Sequence, residues 1–439
     1  MSLIDCNLVL KGGVTSGLVH AGAAPELAPR YRFCGVAGSS AGAIAAAFIA
    51  AAEFARSRGD VDGFGRLRRR SAELPSLLLG LFQPSPGLAP FARALVRLAP
   101  GTGKARVVSA VLCFWPALLS GFLSGVAAWA LLAGRTGLVQ HLIGGLILGT
   151  CGAVVTPAIQ VAIILRRVAR LNFGLCSGLS RGARPALTDW LHDSIQDIAF
   201  GPVGDCAPLT FGDLKDAGID LRIVATNLST GRAVIAPELG RGYGFCPAEW
   251  ARLFPKAVAA HLARGRAEAV LPIPSAAELP VIVAVRMSLA CPGLIEATPA
   301  IGVAGARIWF SDGGLTTNFP FAEFDNDPRP TIALDLDTIQ PGQSVEPRVR
   351  AFDPDGDDLP PDLSTLRGFG WSLLVALRDG HLRTAARRPD RTTRIFQARL
   401  RPDEGGMNLD MTAAEAVALM DRGAELGALV IQTELARTQ

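Results

Sequence analysis

The sequence predicts an α/β fold with a mostly parallel sheet, interrupted by an inserted hairpin of two hydrophobic helices. Outside the middle of the chain, short apolar runs alternate with helical patterns, an order typical of an α/β layer fold. From Val107 to Leu165, by contrast, the only charged or histidine side chains are Arg135 and His141. The net charge of +4 is spread along the 439 residues rather than gathered into one basic tract, which argues against a nucleic-acid partner.

The individual elements follow from runs of apolar residues and the turn-forming residues between them. Strands are predicted where short apolar runs end in glycine or polar residues, at Cys6–Leu10, Phe33–Ala37, Leu221–Thr226, Arg307–Phe310 and Thr331–Leu336. Helices are predicted where helical patterns continue for longer, at Gly17–Leu27, Ala41–Phe54, Val285–Ala290 and Thr412–Leu435. The Asp, Gly and Pro residues of Asp353–Asp362 indicate a linker.

The apolar middle segment divides at residues 134–137 into two runs, Val107–Ala133 and Leu138–Leu165. Each run is longer than the roughly 20 residues that span a bilayer, so two membrane-spanning helices are expected. A hairpin buried in a soluble core or an oligomer, and a re-entrant hairpin in one leaflet, remain as alternatives. Basic residues flank both ends of the segment, at Lys104, Arg106, Arg166, Arg167 and Arg170. The positive-inside bias therefore places both flanks on the cytoplasmic side.

A first motif with chemical meaning is Gly38-Ser39-Ser40-Ala41-Gly42, which has the G-x-S-x-G spacing. It lies between a predicted strand and an Ala-rich helix, where a nucleophile elbow requires it. A sharp strand-to-helix turn exposes the central serine, and the flanking glycines remove side chains that would clash there. Ser40 is therefore the candidate nucleophile, and the Ala41 amide could donate to a developing oxyanion.

A second motif is the glycine-rich loop Lys11–Gly17, directly after the first predicted strand. Such a loop can present backbone N–H groups to a carbonyl oxygen that becomes negative during acyl transfer. A phosphate-binding P-loop would need Lys followed by Ser or Thr after its second glycine, whereas Leu18 and Val19 follow Gly17. An oxyanion loop is the better interpretation.

The third motif is Asp312-Gly313-Gly314, at the end of a predicted strand. In this order the three motifs resemble the patatin-like phospholipase family, and the resemblance covers Ile4–Glu53 and Leu209–Leu336, including the turn Arg286–Pro292. The resemblance implies a three-layer α/β/α core and a catalytic dyad without histidine. Carried over by position, it implies the following site: Ser40 as nucleophile, Asp312 as general base, and the amides of Gly12, Gly13 and Val14 as oxyanion hole.

The chain departs from the family pattern at two positions of the glycine loop. Val14 stands where many members have a third glycine, and Ser16 stands where they have Lys or Arg. The only histidine after Asp312 is His381, in a basic stretch without a motif, so a Ser-His-Asp triad is not expected. Asp335 and Asp337 are interpreted as structural strand-end carboxylates.

Together these observations predict a membrane-anchored serine lipid acyl hydrolase whose catalytic part faces the cytoplasm. Its expected organisation is a first catalytic part at 1–106, the hairpin at 107–165, a second catalytic part at 166–345 and a C-terminal linker with a helical extension at 346–439. The eight cysteines include no CxxC pair, and neither a metal nor a cofactor is expected. A catalytically inactive membrane scaffold and a hydrolase of small soluble esters are the alternatives. The sequence leaves the lipid class, the acyl position and the oligomeric state open.

Overall fold

A computed structural model describes residues 3–13, 17–89, 91, 103–134, 137–202, 206–240, 242–339, 343–352, 369, 373, 394–401, 404 and 411–438. The chain divides into two compact units. The first combines Met1–Gln83 with Gly178–Gln439, and the second is Pro84–Ser177. The predicted hairpin at 107–165 falls within the second unit.

The strands, in chain order, are β1 (Ile4–Leu10), β2 (Tyr31–Ser39), β3 (Gly174–Cys176), β4 (Asp220–Asn227), β5 (Arg232–Ala236), β6 (Gly244–Phe245), β7 (Leu271–Pro272), β8 (Gly293–Ile295), β9 (Thr298–Ile301), β10 (Arg307–Ser311), β11 (Thr331–Thr338), β12 (Val349–Ala351) and β13 (Ile395–Leu400). The α-helices are α1 (Leu18–Leu27), α2 (Ala41–Ser57), α3 (Gly63–Leu81), α4 (Gly103–Leu132), α5 (Leu138–Arg170), α6 (Leu187–Phe200), α7 (Phe211–Asp216), α8 (Pro247–Trp250), α9 (Lys256–Ala263), α10 (Val281–Ser288) and α11 (Ala413–Thr438).

Apart from β8, the described strands of the first unit form a mixed sheet in the order β12-β13-β11-β1-β2-β4-β10-β9-β6-β7, with β5 paired to β4. Its centre, β13-β11-β1-β2-β4, is parallel. The strands beyond β4 pair antiparallel. The central strands are almost wholly buried, as expected for a parallel sheet covered by helices. The predicted α/β class is therefore confirmed.

Close helix packing in the first unit depends on glycine. A Cβ on Gly22 in α1 would lie 1.9 Å from the Met420 carbonyl oxygen of α11, and one on Gly423 in α11 would lie 2.0 Å from the Val19 carbonyl oxygen. Any larger residue would push the two helices apart. The C-terminal helix thus belongs to the core of the first unit, where it covers α1.

The C-terminal region differs from its prediction as a linker and helical extension. Strands β12 and β13 add to the edge of the sheet, and every residue of β13 is buried. The run Ile395–Leu400 contains Gln397 and Arg399, whose polarity hid the strand in the sequence. The predicted linker Asp353–Asp362 and the basic stretch around His381 lie outside the described residues.

The second unit is dominated by α4 and α5, which approach each other through small residues. A Cβ on Gly121 would lie 2.2 Å from the Gly152 carbonyl oxygen, and one on Gly152 would lie 2.1 Å from the Gly121 carbonyl oxygen. Such contact through glycines is typical of helices that associate without large side chains between them. Arg135 and Thr136, in the predicted turn, lie outside the described residues.

Both long helices have the length and composition of membrane spans. Phe114–Leu132 has 19 residues and contains an 18-residue stretch of mean hydropathy 1.5, and Leu138–Arg170 has 33 residues and contains such a stretch of mean hydropathy 1.9. Their large apolar side chains are mostly exposed, for example Leu131 at 87% and Ile147 at 57%. Contiguous exposed apolar surface of this kind marks a site of contact with lipid or another protein.

Candidate active site

Ser40 occupies a strained turn between β2 and α2. Its backbone has φ 53° and ψ −131°, a conformation that non-glycine residues rarely adopt. The turn is so tight that a Cβ on Gly38 would lie 2.2 Å from the Gly42 carbonyl oxygen, and one on Gly42 would lie 2.6 Å from the Leu10 carbonyl oxygen. The two glycines of the G-x-S-x-G motif are therefore needed for the backbone itself.

The structure brings Ser40 and Asp312 together. Ser40 Oγ donates to Asp312 Oδ2 at 2.9 Å, although the two residues are 272 positions apart in sequence. Strand β4 explains the meeting, because Ser39 pairs with Val224 on one side of it and Ser311 pairs with Thr226 on the other. β2 runs parallel to β4 and β10 runs antiparallel to it, so both partner strands end beside the same part of β4, one on each side.

The Asp312 carboxylate is held so that one oxygen faces the serine. Gly314 N–H donates to Oδ1 at 2.7 Å, which leaves Oδ2 to Ser40. The Thr226 hydroxyl donates to the Asp312 carbonyl at 2.8 Å, and Asp312 N–H donates to Ala290 O at 3.1 Å. A Cβ on Gly313 would lie 2.1 Å from the Val224 carbonyl oxygen, so the residue after Asp312 must be glycine.

Ser288 supports the elbow from the end of α10. Its hydroxyl accepts a hydrogen bond from Ser40 N–H at 2.8 Å and donates to the Val224 carbonyl at 2.6 Å. The hydroxyl thus bridges the point at which β2 leaves β4. The sequence contained a signal for this residue in the turn Arg286–Pro292, but no role could be read from it.

The glycine loop lies beside the elbow, but Gly12 has a different role from the predicted one. Gly12 N–H donates to the Asn318 carbonyl at 2.9 Å, and Asn318 Nδ2 donates to the Gly12 carbonyl at 3.3 Å. The Gly12 amide is therefore engaged with Asn318 rather than directed at an oxyanion. Sequence could not indicate this, because Asn318 is more than 300 positions away.

Two other amides, those of Gly13 in the glycine loop and Ala41 after Ser40, are the remaining candidate oxyanion donors. Within the part of the chain that the structure describes, the N–H groups of Gly13 and Ala41 have no intramolecular acceptor. Ala41 is the first residue of α2, so its N–H lies at the N-terminal end of the helix, where the helix dipole is positive. Val14, the third predicted donor, and Ser16 lie outside the described residues.

Lys11 anchors the start of the glycine loop. Its Nζ lies 2.7 Å from Asp335 Oδ1, and Gln397 Nε2 donates to Asp335 Oδ2 at 2.7 Å. Burial alone would raise the pKa of Asp335, but the Lys11 charge and these hydrogen bonds outweigh it and hold the pKa below its ordinary value. Asp335 is thus a structural carboxylate that fixes the loop.

His20 is a structural residue beneath the same loop. Its side chain is fully buried, and Nε2 lies 2.9 Å from the Lys11 carbonyl oxygen, to which it donates as the neutral tautomer. Burial lowers the pKa of His20 to about 4, more than the Lys11 carbonyl and the Asp335 charge raise it. The ring is therefore neutral at physiological pH and lies outside the dyad.

Cys291 lies close enough to Asp312 for the two groups to influence each other. Burial raises the pKa of the Cys291 thiol to about 11, and the negative charge of Asp312 adds to the effect. The thiol stays protonated at neutral pH and is a poor nucleophile. Among the described residues there is no cluster of His, Cys, Asp and Glu that could hold a metal ion.

The fold and site define an α/β protein with a serine elbow and an aspartate in hydrogen-bond contact. The chain is 30% identical, over 525 aligned positions, to the RpoH suppressor of Rhizobium meliloti; the match covers 96% of this chain and 82% of that protein. The chain belongs to the family of this RpoH suppressor. No protein-family profile matches it. Among solved structures, VipD from Legionella pneumophila is similar over 98% of this chain and 67% of its own, with 13% identity and a TM-score of 0.39, which does not establish a shared fold.

Proposed function

We propose that this protein is a serine hydrolase that cleaves acyl esters of lipids through a Ser40–Asp312 dyad, as in patatin-like phospholipases. The observation that carries the proposal is the 2.9 Å hydrogen bond from Ser40 Oγ to Asp312 Oδ2 at a strained strand-to-helix turn. Strain at such a residue costs about 1–3 kcal/mol and persists where surrounding contacts enforce it, which is typical of functional sites.

In the first half-reaction Ser40 Oγ attacks the ester carbonyl carbon while Asp312 takes the hydroxyl proton. The tetrahedral intermediate carries an oxyanion, which the amides of Gly13 and Ala41 stabilise. When the intermediate collapses, the bond to the alcohol breaks and Asp312 returns the proton to the leaving oxygen. The products are a free alcohol and an acyl group on Ser40.

In the second half-reaction a water molecule replaces the alcohol. Asp312 removes a proton from the water, whose oxygen attacks the acyl carbon, and the oxyanion forms again at the same amides. Collapse breaks the bond to Ser40 Oγ, which takes the proton back from Asp312. The fatty acid leaves and the enzyme is restored.

We further propose that α4 and α5 cross the membrane as a hairpin and that the first unit faces the cytoplasm. The length, apolarity and outward exposure of both helices support this placement. Three arginines follow the apolar part of α5, as expected for a cytoplasmic end: Arg166, Arg167 and Arg170. The hairpin would hold the protein at a membrane, whose lipids are the proposed substrates.

Hydrolysis of a lysophospholipid and of a fluorogenic short ester by purified protein tests the proposal. Ser40→Ala and Asp312→Asn should each abolish turnover. Ser39→Ala is the matched control, since the buried Ser39 hydroxyl has no hydrogen-bond partner among the described residues. Turnover that survives Ser40→Ala would exclude the dyad.

A second function, a membrane scaffold without catalysis, is favoured by the Val14 and Ser16 departures in the glycine loop. It predicts a folded parent protein that hydrolyses neither ester. Activity toward the short ester alone, without dependence on a lipid interface, would instead identify a hydrolase of small soluble esters.

A further inference from the structure

An apolar cavity borders the elbow in the first unit, between α1, α2, α3 and α6. The cavity is narrow and partly open to solvent. Its walls include Ala45, Phe48, Leu74 and Trp190, and none of the described residues that line it is charged. The cavity therefore suits an apolar ligand and disfavours a charged head group.

One part of the cavity lies beside the residue that follows Ser40. Gly17 and Ala41 both line it, and a Cβ on Gly17 would lie 3.7 Å from the Ala41 Cβ and 3.3 Å from the Gly13 carbonyl oxygen. Ala41 directly follows Ser40. In the acyl-enzyme the carbonyl carbon is bonded to Ser40 and its oxygen lies at the Gly13 and Ala41 amides. The acyl chain therefore starts beside the mouth of the cavity.

Farther from Ser40, aromatic side chains line the cavity. The rings of Phe48 and Trp190 pack with centroids 5.9 Å apart, and both border the cavity. Along α2 the cavity extends from Ala41 to Ile49, which at about 1.5 Å rise per residue corresponds to roughly 12 Å. An extended hydrocarbon chain has bonds of about 1.5 Å and advances slightly less per carbon, so this length holds roughly eight to ten carbons.

We propose that this cavity binds the acyl chain of the substrate and selects unbranched chains of roughly eight to ten carbons. The inference rests on the proposed function and adds the substrate preference of the same site. Each methylene buried in an apolar cavity increases the binding affinity about fourfold. Successive carbons should therefore raise the acylation rate until the chain reaches the aromatic side chains. Longer chains leave their remaining carbons outside and gain nothing further.

A series of p-nitrophenyl esters with acyl chains of 2 to 16 carbons, presented in mixed micelles, measures this preference. Rates are expressed relative to the acetyl ester of the same variant. The parent should show a maximum at roughly eight to ten carbons. Ala45→Leu, which fills the cavity, should lower the decanoyl-to-acetyl ratio about tenfold or more. Leu74→Ala, which enlarges the cavity, should move the maximum to longer chains.

Ala45→Leu and Leu74→Ala should shift the preferred chain length in opposite directions, which a loss of folding common to both variants cannot produce. Identical profiles in the parent and both variants would overturn the cavity as the acyl site, even if the esters are hydrolysed. A rate that rises steadily to 16 carbons in the parent would overturn the length limit.

A binding measurement separates this inference from catalysis. In the Ser40→Ala protein, 10-bromodecanoic acid should quench Trp190 fluorescence, and the quenching should be absent when Trp190→Phe is added. Quenching without hydrolysis by the parent would support the cavity and contradict the proposed function. Hydrolysis by the parent without quenching or length preference would support the proposed function and contradict the cavity as the acyl site.

Discussion

Ser288 and Ser40 are linked by a hydrogen bond of 2.8 Å in which the Ser288 hydroxyl accepts from the Ser40 backbone amide. The same hydroxyl donates to the Val224 carbonyl at 2.6 Å. One side chain therefore satisfies two buried backbone groups at the place where the sheet is interrupted by the elbow. The position of Ser40, the proposed nucleophile, depends on a helix, α10, that contributes no atom to the proposed reaction.

Ser288→Ala should therefore impair the elbow. It leaves the Ser40 N–H and the Val224 carbonyl buried without a partner, a cost of about 1–3 kcal/mol per group. We expect a fall in kcat of at least tenfold at a similar KM, together with reduced stability in urea. An unchanged kcat in Ser288→Ala would show that the strained turn holds without this bridge.

Gly12→Ala should disrupt the glycine loop. The new Cβ would lie 2.5 Å from Asn318 Oδ1 and 2.6 Å from the Ser39 carbonyl oxygen, so the loop or the Asn318 segment must move. Acylation by a short ester should fall at least tenfold. The matched control is Gly80→Ala in α3, where a Cβ meets nothing within 4 Å. There the higher helix propensity of alanine should stabilise the protein by up to about 1 kcal/mol.

The Lys11–Asp335 pair should matter for both stability and catalysis. Asp335→Asn leaves the Lys11 charge largely buried, and we expect a loss of about 2 kcal/mol, discounted because both side chains retain some exposure. Asp337→Asn on the same strand is the control, since its ion pair with Arg350 is long, at 3.8 Å, and should contribute little. Urea unfolding and single-turnover acylation measure both effects.

The double variant Lys11→Met/Asp335→Leu provides a further control. Replacing a buried pair by apolar residues costs less than removing one partner. Stability should therefore recover relative to Asp335→Asn. If the single variant is as stable as the parent, the pair does not anchor the loop.

His20 should make stability depend on pH. The unfolded chain takes up a proton near pH 6.5, whereas the pKa of about 4 keeps the folded ring neutral. The contribution of His20 is complete above pH 6.5 and is lost progressively as the pH falls toward 4, up to about 3 kcal/mol. The difference in unfolding free energy between the parent and His20→Leu, measured from pH 7.5 to 4.5, should shrink as the pH falls. A difference that stays constant would mean that His20 titrates normally in the folded protein.

Charged substitutions on the second unit test its membrane placement. Ile147 is 57% exposed, and lysine at the centre of a membrane helix costs about 3 kcal/mol. Ile147→Lys should reduce the fraction of protein that stays with membranes after an alkaline carbonate wash. On a water-facing helix the same change would leave stability and solubility unchanged or improved.

The sequence predicted the parts of the fold that follow local rules. The apolar run of β1 and the small-residue turn at Ser40 lie where they were expected, because strand patterns and elbows are encoded over a few adjacent residues. Helix α10 begins four residues earlier than predicted, at Val281 after Pro280. The predicted α/β class holds for the same reason, since alternating elements determine it.

The parts that sequence could not predict depend on distant residues. Asn318 takes the Gly12 amide that had been expected to face an oxyanion, and Asp335 pairs with Lys11 across two neighbouring strands. Strand β13 carries Gln397 within a fully buried run, so its pattern did not resemble a core strand. Such contacts are set by sheet order, which local patterns do not specify.

In the proposed mechanism Ser40 is a nucleophile that is activated by Asp312. Reaction of the detergent-solubilised protein with a fluorophosphonate, followed by peptide mass spectrometry that locates the adduct, tests this role. We expect one adduct, on Ser40, that is absent from Ser40→Ala, forms at least a hundredfold more slowly in Asp312→Asn and forms normally in Ser39→Ala. A folded parent protein that forms no adduct, or forms it on another residue, would exclude Ser40 as the nucleophile.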